Sequence, residues 1–514
     1  MSNKHIFNSP QGLVLKSLRG AVALNPALRL HAPSKSVYVA HPSLHTRVAL
    51  VAGGGAGHEP AHASYTGRGM LAASVSGDIF ASPSARQILT AIELAIASSS
   101  SDKSSLRDVL LIINNYTGDR LNFGLALARA RALYADLKID AVVVADDVSL
   151  LRGGALVGPR GLAGNILVCK VLGAYVETGA ALEDVKRLAD AVVGGALASV
   201  GVGLDHCHVP GRSADAEGRA KKGGGKFEGP EGLVAEMLAM ILAPRDGMAE
   251  GREKEEAFMA IGKMHTEADE TVLFVNNLGG MSQLEMGALL DEILNQLDAS
   301  DIRPRRVYCS AYMTSLNAPG FSLTLLNLSR VYRTLHLTAQ DLDILALLDA
   351  PTDAHAWLGV RSWPIYSNTQ TESEAEAEQL LRTLKPRTEE SHGEGRGEET
   401  TYWRAADISV GQVQAGIRAA CMRVLEVEKD LTAFDTVVGD GDCGETFTAG
   451  ARAVLRALDN GELEIGKTSP AMLMRRLGGT LEDSMGGTMG ARAYFFFHRS
   501  PQLSTYTLSV LTFS

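Results

Sequence analysis

The chain has 514 residues, 46% of them hydrophobic and 21% charged, with a formal net charge of −10. That length fits roughly two to four domains with full cores, and the acidic balance excludes nucleic acid as a main partner. No apolar run reaches the ~18 residues that cross a bilayer, the N-terminus has no apolar signal core, and the five cysteines are scattered without a CxxC pair, which points to a reduced, cytoplasmic protein with no membrane partner.

The first half repeats one pattern, a short β-branched run followed by a polar or glycine turn. Residues 47–52 run into GGGAGHEP, 70–76 into Gly77-Asp78, 109–114 into NYTGD, and 141–145 into Asp146-Asp147. Helical stretches at 84–97 and 123–137 lie between them. Strands alternating with helices predict an α/β sheet that binds ligands at the carboxyl ends of its strands. A second α/β unit is expected from about residue 189, with strands at 272–275 and 306–309. Residues 211–232 interrupt it with polar, glycine-rich sequence and no strand signal. Residues 367–401, rich in Glu, Ser, Thr and Gly, read as an acidic linker with one helical segment at 374–384. Beyond residue 402 the periodicity is helical only, at 410–428, 445–459 and 471–483, which predicts an all-α part. The last stretch, 500–514, lacks that period.

The densest chemistry lies in DTVVGDGDCG, which places Asp435, Asp440 and Asp442 within eight positions. Crowded carboxylates either face water or hold a hard cation. An EF-hand does not fit, because its twelfth position, a glutamate, would be Thr446 counted from Asp435 or Ala451 counted from Asp440. A second glycine loop follows at Gly486, Gly487, Thr488 and Met489. Acidic loop plus glycine loop is what magnesium with a nucleotide phosphate requires. In the first half, His58 beside Glu59 at a strand end suits acid/base work, against the plainer reading of a glycine turn with a capping glutamate. Asp119 either accepts a hydrogen bond from a substrate hydroxyl or caps a helix. Asp146 and Asp147 read as capping or ion-pairing residues. His206, Cys207 and His208 have no second ligand cluster, so they read as a buried polar corner rather than a zinc site.

The runs GGGAGHEPAHASYTGRGML, SGDIFASPS, NNYTGDRLNFGLA, RGLAGNILVCKVLGA, LDHCHVPGR, NNLGGMSQLEMGAL, MTSLNAPGFSLTLLNL and VGDGDCGETF, in this order, resemble the single-chain, ATP-dependent dihydroxyacetone kinases. The resemblance implies an α/β substrate-binding domain over 1–366, made of two α/β subdomains (1–188 and 189–366). It further implies an all-α helical-barrel nucleotide-binding domain over 402–514. The implied reaction moves a phosphoryl group from ATP to a hydroxyl of dihydroxyacetone, and often of glyceraldehyde. Asp435, Asp440 and Asp442 would hold Mg2+, while Cys443, Gly444, Glu445, Thr446 and Gly486 to Met489 would meet the nucleotide. His58 and Asp119 would act on the substrate hydroxyls, and Gly55, Ala56, Gly57 and Asn114 would line the triose. A homodimer is implied as well.

Several positions depart from that pattern. The family's covalent, hemiaminal-forming histidine has no counterpart, since residues 211–232 contain no histidine. Asn114 stands where many members carry lysine, and Met489 where serine is usual. The nucleotide-binding domain is expected to lack its last helices, and the interruption at 211–232 and the tail at 500–514 read as gene-model or splicing errors. Two other functions fit the same sequence: an FAD-cyclising lyase using the metal–nucleotide site, and a catalytically inactive triose-binding protein.

Overall fold

The Val/Ile/Leu runs form the strands of two mixed sheets. The computed structural model describes residues 5–96, 106–150, 158–205, 207–210, 229–243, 258, 269–359, 377, 379–380, 409–438, 443–485 and 496–497. The chain divides into two compact units, Met1–Ser367 and Asn368–Ser514.

In the first unit, β1 (Leu28–His31), β2 (Ser36–Val39), β3 (Val48–Ala56), β4 (Ala73–Ile79), β5 (Asp108–Asn114) and β6 (Ile139–Val144) form one sheet in the order β1-β2-β4-β3-β5-β6. The four strands β4, β3, β5 and β6 run parallel, and β1 and β2 add an antiparallel edge. Strands covered on both faces need no alternation of apolar and polar residues. That is why β3 and β5 read as continuous apolar runs. The second sheet contains β7 (Leu197–Gly203), β8 (Thr271–Asn277), β9 (Arg306–Ser310) and β10 (Gly320–Asn327), in the order β7-β10-β8-β9.

Four strands, β1, β2, β7 and β10, are absent from the sequence reading. The most consequential is β10. All eight of its residues are buried between β7 and β8, yet its opening Gly320 belongs to a glycine- and proline-bearing run that reads as a loop. Strand β3 also runs further than expected, through its glycines. A Cβ on Gly53 would stand 2.2 Å from the Val75 carbonyl oxygen, so only glycine lets β3 and β4 approach this closely. The helix expected at 123–137 occupies Thr117–Leu133, because the NYTGD turn itself starts it.

The two sheets share one core. Helix Gly164–Val176 is apolar all round and buried along nearly its whole length. It clusters with Leu50 of β3, Ile112 of β5 and Phe274 of β8. Helix Ala85–Ile96 lays Ile88, Ala91, Ile92 and Ala95 against the other face of the first sheet. The second unit contains the helices Val410–Glu426, Glu428–Val438, Cys443–Asp459 and Pro470–Ser484 around a separate small core. Ser409 and Gln412 form a capping box on the first of these, and Ser469 caps the last, with Pro470 opening it. Helix Glu428–Val438 corrects the reading of DTVVGDGDCG as one continuous loop. Asp435 lies on this helix, while Asp440 and Asp442 lie outside the described residues. So do residues 500–514, most of 211–232, and nearly all of the expected linker and its helical segment. Residues 229–232 begin the helix Gly229–Leu242. Among the described residues, no helix is long and apolar enough to cross a membrane.

One buried side chain ties a loop of the second sheet in place. Asn276 Oδ1 accepts the backbone N–H groups of Tyr312 and Met313 (2.9 and 2.8 Å), and its Nδ2 donates to the Met313 carbonyl at 2.8 Å. Asn276→Ala strands three buried backbone groups. It is expected to lower the unfolding free energy of the first unit by roughly 3 kcal/mol or more, read as a shifted urea midpoint at unchanged slope.

Candidate active site

A cavity of about 840 Å³ opens where the parallel strands of the first sheet end. The glycine end of β3 contributes Gly54 and Gly55, and the turn after it contributes His58. The turn after β4 contributes Phe80 and Ser82, and the turn after β5 contributes Asn114 and Asp119. Cys207, Met313 and Ser315 reach it from the second sheet. Two other depressions, about 820 and 780 Å³, are lined by charges already paired with each other, such as Lys138 with Glu183 and Arg305 with Glu270.

A short ladder joins the glycine loop to the loop before β10. Leu316 N–H donates to the Gly57 carbonyl (2.7 Å), Thr314 N–H to the His58 carbonyl (3.2 Å), and Thr314 Oγ1 to the Glu59 carbonyl (2.7 Å). His58 completes it, with Nδ1 2.7 Å from the Thr314 carbonyl oxygen. A carbonyl only accepts, so the ring proton sits on Nδ1, and Nε2 of the neutral ring carries the free lone pair. Gly57 has φ +101°, a conformation that calls for glycine, and its N–H is held by the Glu59 carboxylate at 2.9 Å.

Asp119 sits in the first turn of helix Thr117–Leu133, only 5% exposed. Burial raises its pKa, partly offset by a hydrogen bond from Ser82 and by the nearby His58. Its Oδ1 has no hydrogen-bond partner among the described residues. Tyr116, not Asp119, occupies the N-cap position, so the capping alternative does not hold. Asp146, by contrast, is structural. It accepts from Leu162 N–H (2.7 Å), Gly164 N–H (3.1 Å) and the Ser199 hydroxyl. Asp147 pairs with Arg160 at 2.7 Å.

Of the residues expected on the substrate, the structure gathers Gly55, His58, Asn114 and Asp119 around the cavity. Ala56 and Gly57 belong instead to the loop's own packing. The Ala56 methyl is buried in a core with Val14 and Leu18, and both polar backbone groups of Gly57 are bonded within the ladder. The sequence reading overlooked His62, Phe80, Ser82 and Cys207 as lining residues. His62 carried a usable signal, four positions after His58 in the same turn. It is 5% exposed, and burial together with His58 pushes its pKa down to about 4.

In the second unit, Asp435 accepts the Cys443 N–H at 3.3 Å, which draws the end of one helix to the start of the next. Gly444 is packed so closely that a Cβ there would stand 2.1 Å from Thr432 Oγ1. Gly444, Glu445 and Thr446 lie in the first turn of helix Cys443–Asp459. Gly486, Gly487, Thr488 and Met489 lie outside the described residues. Among the described residues no group of three or more His, Cys, Asp or Glu side chains is arranged to hold a metal.

The Dak1 domain family matches residues 19–356, and the DAK2 domain family matches residues 437–500. The chain belongs to the dihydroxyacetone kinase family. A dihydroxyacetone kinase of Pichia angusta is 36% identical over 95% of this chain and 77% of its own length. The human triokinase/FMN cyclase is 33% identical over 98% of this chain and 80% of its own length. The crystal structure of the dihydroxyacetone kinase from C. freundii in complex with AMP-PNP and Mg2+ superposes with a TM-score of 0.58 at 29% identity, covering 98% of this chain and 83% of that one.

Two predictions concern the stability of this kinase-family site. A Cβ on Gly55 would meet the Ala81 nitrogen at 2.9 Å, whereas on Gly54 the nearest atoms lie at 3.8 and 3.9 Å. Gly55→Ala should therefore lower the melting temperature, by an overpacking cost of about 1–3 kcal/mol, while Gly54→Ala leaves it unchanged. His62 has a folded pKa below its ordinary 6.5. The unfolded chain therefore takes up a proton that the folded one refuses, and stability falls as pH drops from 6.5 toward 4. His62→Gln should remove roughly 2–3 kcal/mol of that acid loss, seen as a smaller difference between urea midpoints at pH 7 and pH 4.5.

Proposed function

We propose that the chain transfers the γ-phosphoryl group of ATP to a hydroxyl of dihydroxyacetone, and also of glyceraldehyde. The observation that carries this reading is the pairing, in one cavity of a dihydroxyacetone kinase family member, of a lone-pair nitrogen at His58 with a buried, half-partnered carboxylate at Asp119. Both groups accept hydrogen bonds, and both suit a hydroxyl about to become a nucleophile. In this reading Asp119 accepts the hydroxyl's hydrogen bond in the resting complex, and the hydroxyl turns its proton to His58 Nε2 as it becomes the nucleophile. The positive charge the ring then carries has the Asp119 carboxylate as its neighbour. Thr314 keeps the ring from turning away.

The second unit is read as the nucleotide-binding domain. The carboxylate of Asp435 is a hard oxygen donor suited to Mg2+, together with Asp440 and Asp442 from the same run. The N–H groups of Gly444 and Glu445 and the hydroxyl of Thr446 suit phosphate oxygens, as do the N–H groups of Gly486 to Met489. Bound Mg2+ would neutralise the phosphate charge that grows during transfer. The finer architecture belongs to the same reading: two α/β subdomains over 1–366, an acidic linker over 367–401, an all-α helical barrel beyond 402, and a cytoplasmic homodimer.

A coupled assay with ATP, Mg2+ and dihydroxyacetone tests the proposal. Wild type should turn over, and Asp119→Asn should lose about a hundredfold or more in kcat/KM. Gly54→Ala, which adds a methyl beside Asp119 without disturbing the fold, should raise KM roughly tenfold or more. Triose binding without turnover at saturating ATP and Mg2+ would replace the kinase reading with that of an inactive triose-binding protein.

A further inference from the structure

His62 has no role in the reaction as described above, yet it lines the same cavity as Asp119. Its Nε2 is buried and has no hydrogen-bond partner among the described residues. A buried polar atom in that state implies a partner that arrives from outside the fold. The space over Gly54 lies between the two side chains, since a Cβ built there would be 3.8 Å from Asp119 Oδ2 and 3.9 Å from His62 Cε1.

The His62 ring is held by a buried polar chain. Asn165 Nδ2 donates to Asn114 Oδ1 at 2.8 Å, so Asn165 presents its oxygen to its other neighbours. One of these is the Cys169 thiol at 3.3 Å. Asn165 also acts on His62: a side-chain hydrogen bond between them favours the protonated ring, against the larger opposing effects of burial and His58. His62, Asn114, Asn165 and Cys169 are all nearly or fully buried. Burial keeps the ring neutral, and the tautomer that turns its proton toward Asn165 leaves the unpartnered Nε2 as an acceptor.

We propose that His62 is a further substrate-binding residue, its Nε2 accepting a hydrogen bond from a second hydroxyl of the acceptor substrate, which makes the site selective for small acceptors with two separate hydroxyl groups. The chemistry follows from counting protons. Asp119 Oδ1 and His62 Nε2 are two buried acceptors, and a single hydroxyl has one proton to give. A mono-alcohol leaves one of them unpaired, and so does an ether or carbonyl placed at His62. A diol satisfies both. This deepens the kinase reading and rests on it for the identity of the substrate.

The test is calorimetric binding to the full chain without nucleotide, using dihydroxyacetone and hydroxyacetone, which lacks one hydroxyl. Wild type should bind dihydroxyacetone about tenfold or more tightly than hydroxyacetone. His62→Leu should shrink that ratio to within about threefold, mainly by weakening dihydroxyacetone, and His62→Gln, which keeps an acceptor, should retain most of it. A ratio unchanged in His62→Leu overturns the inference and leaves the kinase reading standing. If His62→Leu does not fold, 15N spectra of histidine-labelled wild type decide. The unprotonated His62 nitrogen, assigned by its loss in His62→Gln, should move upfield with dihydroxyacetone and stay in place with hydroxyacetone. A resonance that ignores both ligands overturns the inference. Wild type that binds neither compound overturns the inference and the kinase reading together. Binding with the expected ratio but no turnover overturns only the kinase reading.

Discussion

The hydrogen bond from His58 Nδ1 to the Thr314 carbonyl sets the terms for the rest of the site. It selects one tautomer of a ring that would otherwise interconvert, and it does so from a residue 256 positions away in the chain. Thr314 can play this part only because the loop that carries it is clamped from behind by Asn276 and zipped from the front to Gly57, His58 and Glu59. Two sheets that share a core also share a working edge. Glycines are the condition for both, since Gly53 brings β3 against β4 and Gly57 lets the loop after β3 turn toward its partner.

Against this rigid frame stand groups that the fold does not satisfy. Asp119 is a carboxylate that burial disfavours, with one oxygen unpaired; His62 is an imidazole held neutral by burial, with one nitrogen unpaired. Each lowers the stability of the empty protein. Their neighbours Asp146 and Asp147 are just as buried but fully engaged, with backbone N–H groups, Ser199, Ser149 and Arg160. The contrast separates function from architecture within one turn of sheet. Of these four groups, only the two left incomplete face the cavity. Unmatched buried polarity of this kind is expected where binding, rather than folding, supplies the partner.

The sequence carried much of this. Runs ending in glycine or Asn-Tyr-Thr-Gly-Asp marked the parallel strands and pointed to His58 and Asp119, because a strand buried on both faces is continuous in apolar residues and stops abruptly. Strand β10 was illegible for a related reason. A central strand needs no alternation, and the Asn317-Ala318-Pro319-Gly320 run before it resembles a turn. Asp435 was placed in a loop because Gly439 and Gly441 dominate the local pattern, whereas the preceding Glu428–Val438 segment propagates a helix up to them. The spacing of His62 from His58 marks a shared turn, but the ligand role proposed for it rests on Asp119 and Gly54, which the fold brings beside it. Ala56 and Gly57 sit in a loop whose composition suits substrate contact, but the register of the ladder turns them inward. Composition can mark a loop as functional, while hydrogen-bond register decides which of its residues are.

Residues 211–232 contain no histidine, so the covalent hemiaminal implied by the family resemblance has no residue there to form it. In the proposed reading the acceptor is then held by hydrogen bonds. A hydrogen bond to the Asp119 carboxylate, worth about 1.5–3 kcal/mol, and one to His62, worth about 1 kcal/mol, together correspond to an affinity in the millimolar range. Such a site is weak in absolute terms but selective in relative ones, because an acceptor that lacks a hydroxyl strands a buried atom, whereas the right one strands none. The energetic difference between substrates then comes mostly from the penalty on the wrong ligand. A cavity floored by Gly54 and flanked by Asp119 and His62 is built for that kind of discrimination. Its buried unpaired atoms, Asp119 Oδ1 and His62 Nε2, wait for hydroxyl protons that the fold does not supply.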